Sequence, residues 1–171
     1  MPNEAPTKEN MPLGADLDSD GRWSQVLNRV QGEGRPGALF LDRDGVVVEE
    51  VHYLHQPDDV RFLEGAHALI GEANIRGIPV ILITNQAGIA RGHFKWPQFI
   101  AVQEKINDDL AKAGVFLNAV FACPHHGDGK PPYDVAEHPW RKPNPGMLRA
   151  AAERLPIDLA KSWMIGDKAS D

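Results

Sequence analysis

Two short, almost uninterrupted apolar runs, ALFLD at 38–42 and IPVILIT at 78–84, constrain this chain more than any other feature. A strand with one wet face alternates apolar and polar residues; a strand covered on both faces does not, so these runs read as central strands of a layered sheet. Between them, EGAHALIGEANIRG (64–77) places Ala66, Leu69, Ile70 and Ala73 at helical spacing and ends at Gly77. The spacing of Phe99, Val102, Ile106, Leu110 and Ala113 predicts a second helix over 96–114, with Pro97 near its start and Gly114 after its end. A third strand, AVFAC (119–123), a helix with Pro145 early (144–155) and a fourth strand, SWMIGD (162–167), continue the alternation. Strands that alternate with helices pair in parallel, so the expected fold is an α/β three-layer sandwich with a mostly parallel sheet.

The length of 171 residues predicts one domain. The expected division is a largely flexible N-terminal tail over 1–37 and a core over 38–171 with a loop insertion at 123–143. Within the tail, residues 1–20 read as flexible, and RWSQVLNRV (22–30) reads as a short helix packing Trp23, Val26, Leu27 and Val30 onto the body. DLDSDG (16–21) reads as an acidic turn, because Leu27 stands where a calcium loop needs a bidentate glutamate. A net charge of −6 with no basic run argues against nucleic acid or an acidic membrane surface as partner. The single cysteine, the polar N-terminus and the lack of a long apolar run predict a cytoplasmic protein, read as a monomer.

Four short blocks fall at or just after strand ends: DRDG (42–45), TNQAGIARG (84–92), RKPNPGM (141–147) and GDKASD (166–171). Parallel strands deliver such ends to one edge of the sheet, where open α/β sheets keep their sites. The inventory suits phosphoryl transfer, in which positioning and charge neutralisation do most of the work. Asp42 is the expected nucleophile, and Asp44 the group that protonates the leaving oxygen and then activates water. Asp42, Asp44 through its backbone carbonyl, and Asp167 are expected to hold one Mg²⁺. Thr84 and the Asn85 amide would bind phosphoryl oxygens, Lys142 would neutralise transition-state charge, and Asp171 would support from behind. Arg43, Arg91, Arg141, Lys142 and Lys168 would form a cationic mouth that captures a small phosphorylated metabolite.

The order of these blocks resembles the haloacid dehalogenase (HAD) superfamily of phosphohydrolases over residues 38–171. FLDRDG, TNQAGIARG, CPHH, RKPNPGM and GDK together are similar to the D-glycero-D-manno-heptose 1,7-bisphosphate phosphatases and to their relative, histidinol-phosphate phosphatase. The resemblance implies a Rossmann-like sheet without a large cap domain, and Mg²⁺-dependent removal of the C7 phosphate of a heptose bisphosphate in lipopolysaccharide precursor synthesis. It implies substrate contacts from Glu50, Val51, His52, Tyr53, Asn85, Gln86 and Ala87, a phosphate contact from Arg91, and a distal phosphate or sugar contact from Arg141. Histidinol phosphate or another small metabolite is the alternative substrate, and an inactive HAD-like binding module the alternative function.

The chain departs from that pattern in three places. Family members often carry Cys-x-His and Cys-x-Cys around the long loop as a tetrahedral zinc site. Here Cys123 and His125 match the first half, whereas the second half reads His138-Pro139-Trp140. Two readings stay open: a Zn²⁺ site of Cys123, His125 and His138 with His126, Asp134 or Glu137, or a metal-free loop, which is favoured. Val46 stands where many members have threonine. The sequence stops at Asp171, where the family continues with a helix and a further strand, so the C-terminal part of the fold is expected to be missing.

Overall fold

The described chain, residues 6–169 of a computed structural model, runs β1 (Ala15–Leu17), β2 (Trp23–Val26), β3 (Leu39–Leu41), α1 (Ala66–Ile75), β4 (Val80–Asn85), α2 (Ala87–Arg91), α3 (Trp96–Lys112), β5 (Ala119–Cys123), α4 (Gly146–Arg154) and β6 (Trp163–Ile165). These strands form one sheet in the order β1-β2-β5-β4-β3-β6. The four strands expected from the apolar runs pair in parallel, β5 with β4, β4 with β3, and β3 with β6.

Side chains alternate across the central strands, and each face is covered by different helices. Leu41, Leu82 and Val120 point to the face packed by Ile70 of α1 and by Phe99, Val102, Ile106 and Leu110 of α3. Phe40, Ile81, Ile83 and Phe121 point to the other face, against Met147 and Ala151 of α4. The continuous apolar runs are thus the signature of strands buried on both sides. No helix among the described residues is long and apolar enough to cross a membrane.

The N-terminal segment corrects the sequence reading. Residues 22–30 are not a helix: Trp23–Val26 form β2, antiparallel to β5 in the register Trp23↔Ala122 to Val26↔Ala119. β1 then pairs with β2, so residues expected in a flexible tail extend the sheet. The acidic stretch DLDSDG supplies the hairpin turn, where Asp18 Oδ1 accepts from the amides of Asp20 and Arg22, and Gly21 takes the positive φ of 72°. The apolar spacing of Trp23, Val26 and Leu27 fits a helix, but the open edge of β5 offers this segment a full ladder of backbone hydrogen bonds. Trp23 is wholly buried, stacked on Trp96 at 5.8 Å and edge-on to Phe99 at 5.6 Å. Burying such a side chain contributes roughly 2–3 kcal/mol, which a frayed tail would forgo.

Candidate active site

The register of the parallel strands brings the sequence blocks together. Leu41 lies level with Leu82 and Ile165, so β3, β4 and β6 end on the same edge. Asp42 follows β3 directly, and its amide donates to the Ile165 carbonyl at 3.0 Å. Thr84, the penultimate residue of β4, is buried. Lys142 arrives from the far end of the long loop. Its amide donates to Asn85 Oδ1, whose Nδ2 donates back to the Lys142 carbonyl. That exchange pins the lysine backbone to the end of β4. The Lys142 ammonium then stands 3.1 Å from Asp42 Oδ1, both side chains nearly excluded from water.

Asp44 is held from two sides. The Arg43 guanidinium grips it through Nε and Nη2 at 3.0–3.2 Å. The Gln86 amide donates to Asp44 Oδ2 at 3.0 Å and to Thr84 Oγ1 at 2.9 Å, tying the two side chains to one group. Arg43 lines the cavity as expected of the cationic mouth, but it is 1% exposed, lies 5.5 Å over the Phe99 ring, and serves as a buried counter-charge to Asp44. Gly45 completes the turn. Its φ is 86°, and a Cβ there would lie 2.2 Å from Asp167 Oδ2, so only glycine lets the Asp167 carboxylate reach the DRDG turn.

Asp42, Asp44, Thr84 and Lys142 line the floor of a cavity of ≈ 380 Å³. Glu50, Val51, His52 and Tyr53 form one wall, and Asn85, Gln86 and Ala87 another. Arg91, His126 and Arg141 close the third side, with Lys168 at the rim, paired to Glu50 at 3.0 Å. Tyr53 adopts a left-handed backbone (φ 57°), uncommon for a bulky residue. It is fixed there by stacking on His93 at 4.1 Å and by accepting a 2.6 Å hydrogen bond from Arg91. Gly88, in α2, sits beneath this wall; a methyl group on it would meet Phe94 at 2.3 Å and Tyr53 at 2.7 Å. Burial, and then the charges of Arg141 and Arg91, hold the His126 imidazole below its usual range, and burial likewise depresses Arg141. Its hydrogen bond to Tyr53 holds Arg91 above its ordinary value. A neutral histidine between two guanidinium groups makes this side of the cavity strongly cationic.

A HAD-hydrolase-like family model matches residues 139–171. The D-glycero-beta-D-manno-heptose-1,7-bisphosphate 7-phosphatase of Mesorhizobium japonicum is 42% identical over 158 residues, covering 91% of this chain and 71% of that protein. The chain belongs to the heptose 1,7-bisphosphate 7-phosphatase family. Its architecture is that of solved HAD-like structures. A Mesorhizobium loti protein assigned as a HAD-like phosphatase superposes with a TM-score of 0.87 at 41% identity, over 91% of this chain and 74% of the other. The D,D-heptose 1,7-bisphosphate phosphatase of B. bronchiseptica, complexed with magnesium and phosphate, gives a TM-score of 0.69 at 36% identity, over 78% of this chain and 72% of the other.

In this family member, the zinc pattern that the resemblance implied does not fit. Cys123 Sγ lies 3.7 Å from His138 Nδ1, whereas His138 Nε2 points the opposite way, to Asp20 Oδ2 at 2.9 Å. Burial pushes the Cys123 thiol up to about 12, so in the metal-free loop it carries its proton. Trp140, in the last position of the pattern, packs its ring against Phe121. Of the other ligands expected, His126 lines the cavity instead. The sequence reading missed Asp20, because its approach depends on the hairpin that was not foreseen. Asp171 lies outside the described residues.

Proposed function

We propose that this chain is a Mg²⁺-dependent phosphatase that removes the 7-phosphate of a D,D-heptose 1,7-bisphosphate through an aspartyl-phosphate on Asp42, acting in the cytoplasm. The observation that carries the reading is the Asp42–Lys142 contact at 3.1 Å beside the Thr84–Gln86–Asp44 chain, in a family named for this reaction.

Asp42 attacks the phosphorus, and the bond to the sugar oxygen breaks. Asp44, one side chain away, gives that oxygen a proton and afterwards takes one from the attacking water, whose oxygen displaces Asp42 and releases inorganic phosphate. Thr84 Oγ and the Asn85 amide bind non-bridging oxygens, and Lys142 balances the charge that gathers on them. The Arg43 amide and the Lys142 ammonium both reach Asp42 Oδ1, which fixes the plane of the carboxylate.

Asp42, the Asp44 carbonyl and Asp167, whose carboxylate comes close to the bare α-carbon of Gly45, would supply the oxygen donors that a hard cation prefers. These residues would hold the Mg²⁺ found in the B. bronchiseptica relative. When bound, the ion offsets the negative charge of carboxylates and phosphate. Arg91 and Arg141 supply the fork geometry suited to the second phosphate of a bisphosphate. The cavity volume of ≈ 380 Å³ matches a small metabolite and not a polymer.

The test is turnover of both anomers of heptose 1,7-bisphosphate, heptose 7-phosphate and histidinol phosphate, with and without Mg²⁺. A kcat/KM for the bisphosphate at least about tenfold above the others, lost on chelation, supports the reading. Equal rates on histidinol phosphate would move the substrate assignment to the alternative.

A further inference from the structure

The turn of the β1–β2 hairpin meets the long loop at one residue. Asp20 accepts hydrogen bonds with two different oxygens: its backbone carbonyl takes His125 Nε2 at 2.7 Å, and its carboxylate takes His138 Nε2 at 2.9 Å. The two imidazoles lie face to face, 3.9 Å apart and 6° from parallel, and both are buried. Next to Asp20, Gly21 has no side chain, and a Cβ there would lie 2.3 Å from the Tyr133 ring. Hairpin and loop are therefore fitted to each other at adjacent positions.

The hydrogen bonds assign the tautomers. His138 Nδ1 accepts the Trp140 amide at 3.0 Å, so its proton sits on Nε2 and is donated to Asp20. His125 Nε2 faces a carbonyl oxygen, which only accepts, so it too carries a proton. The lone pair of His125 is then on Nδ1, which is buried and has no hydrogen-bond partner among the described residues. The ligand atoms of Asp20, His125 and His138 lie within 4.8 Å of one another, the spacing of a metal centre. With both Nε2 protons directed at Asp20, those two atoms have no electron pair to give a cation, and the His125 Nδ1 lone pair is one donor where a metal centre needs several.

The same histidines bracket a residue of the cavity. The Arg141 amide donates to the His138 carbonyl at 2.9 Å, and its guanidinium Nη1 donates to the His125 carbonyl at 3.1 Å. We propose that Asp20 is a positioning residue for Arg141: it clasps His125 and His138 by direct hydrogen bonds, without a metal ion, and so fixes the loop that presents the guanidinium to the substrate. The effect on substrate rests on the proposed role of Arg141; the clasp itself does not.

The experiment compares the wild-type chain with Asp20→Ala and Asp20→Asn. Zinc content is measured after expression in zinc-supplemented medium, and melting temperature is read with a zinc-selective chelator in excess Mg²⁺. The wild type is expected to hold far less than one zinc per chain and to melt unchanged with chelator. Amide exchange at Arg141 is expected to rise at least roughly tenfold in Asp20→Ala, while Asp20→Asn, which keeps an acceptor oxygen for His138, stays near wild type. KM for the bisphosphate rises about five- to tenfold in Asp20→Ala, with kcat within about twofold. One zinc per chain in the wild type, or an Arg141 amide that exchanges equally slowly in Asp20→Ala, overturns the proposal. Metal content and exchange involve no substrate, so failure of the clasp and failure of the substrate assignment are told apart. The wild-type metal measurement also stands if Asp20→Ala does not fold.

Discussion

Arg43 and Asp44, neighbours in the chain, turn back on each other so that two nitrogens of the guanidinium grip both carboxylate oxygens at 3.0–3.2 Å. The arginine is 1% exposed, its Nη1 has no hydrogen-bond partner among the described residues, and Phe99 lies under it. A buried guanidinium of this kind depends on its counter-ion, because breaking one partner of a buried pair costs about 3–5 kcal/mol.

Asp44→Asn is therefore expected to lose stability as well as activity, with unfolding free energy reduced by about 3 kcal/mol. Denaturant titration checks it. An unchanged denaturation midpoint would mean that Arg43 finds another partner.

Asp42→Asn should behave differently from Asp44→Asn towards an aryl phosphate. Without the nucleophile, no p-nitrophenolate burst appears and kcat falls by about three orders of magnitude or more. Asp44→Asn retains a measurable burst, because that leaving group needs no proton, and stalls at hydrolysis of the phosphoenzyme. Rapid-quench detection of phosphate bound to protein distinguishes the two.

Gln86→Leu keeps volume but removes the amide that joins Thr84 to Asp44. The expected result is a fall in kcat of about 10–100-fold with KM changed by less than about threefold, since two groups lose their alignment and no phosphate ligand is lost. A pure KM effect would instead make Gln86 a substrate contact.

The Cys123 thiol, buried and pushed up to about 12 from its ordinary 9.0, should resist alkylation in the native protein near pH 8 and react only on unfolding. Because the folded-state value is raised, the contribution of this group is whole below pH 9 and is lost as pH rises towards 12, where only the unfolded chain readily ionises. Cys123→Ala should flatten that alkaline decline in a series of melts from pH 8 upwards.

Much of the centre was legible in the sequence because buried parallel strands write themselves as apolar runs, and their ends carry the polar residues that follow. Asp42, Thr84 and Lys142 could be placed on one edge from that logic, and they line one cavity. The hairpin was hidden for a physical reason. WSQV has neither alternation nor length, and its strand conformation is imposed by the edge of β5, more than ninety residues away in sequence. The burial of Arg43 was missed because a charged residue between two aspartates suggests solvent, whereas the turn at Gly45 folds it inward against Phe99. Asp20 could be found only after the hairpin.

Gly88 joins two kinds of constraint at one α-carbon. Phe94, on one side, belongs to the hydrophobic interior, and Tyr53, on the other, to the wall that meets the ligand. A single methyl at this point would disturb thermal resistance and substrate preference at once, so a library that diversifies the cavity should leave position 88 untouched and spend its variation on Val51 and His52.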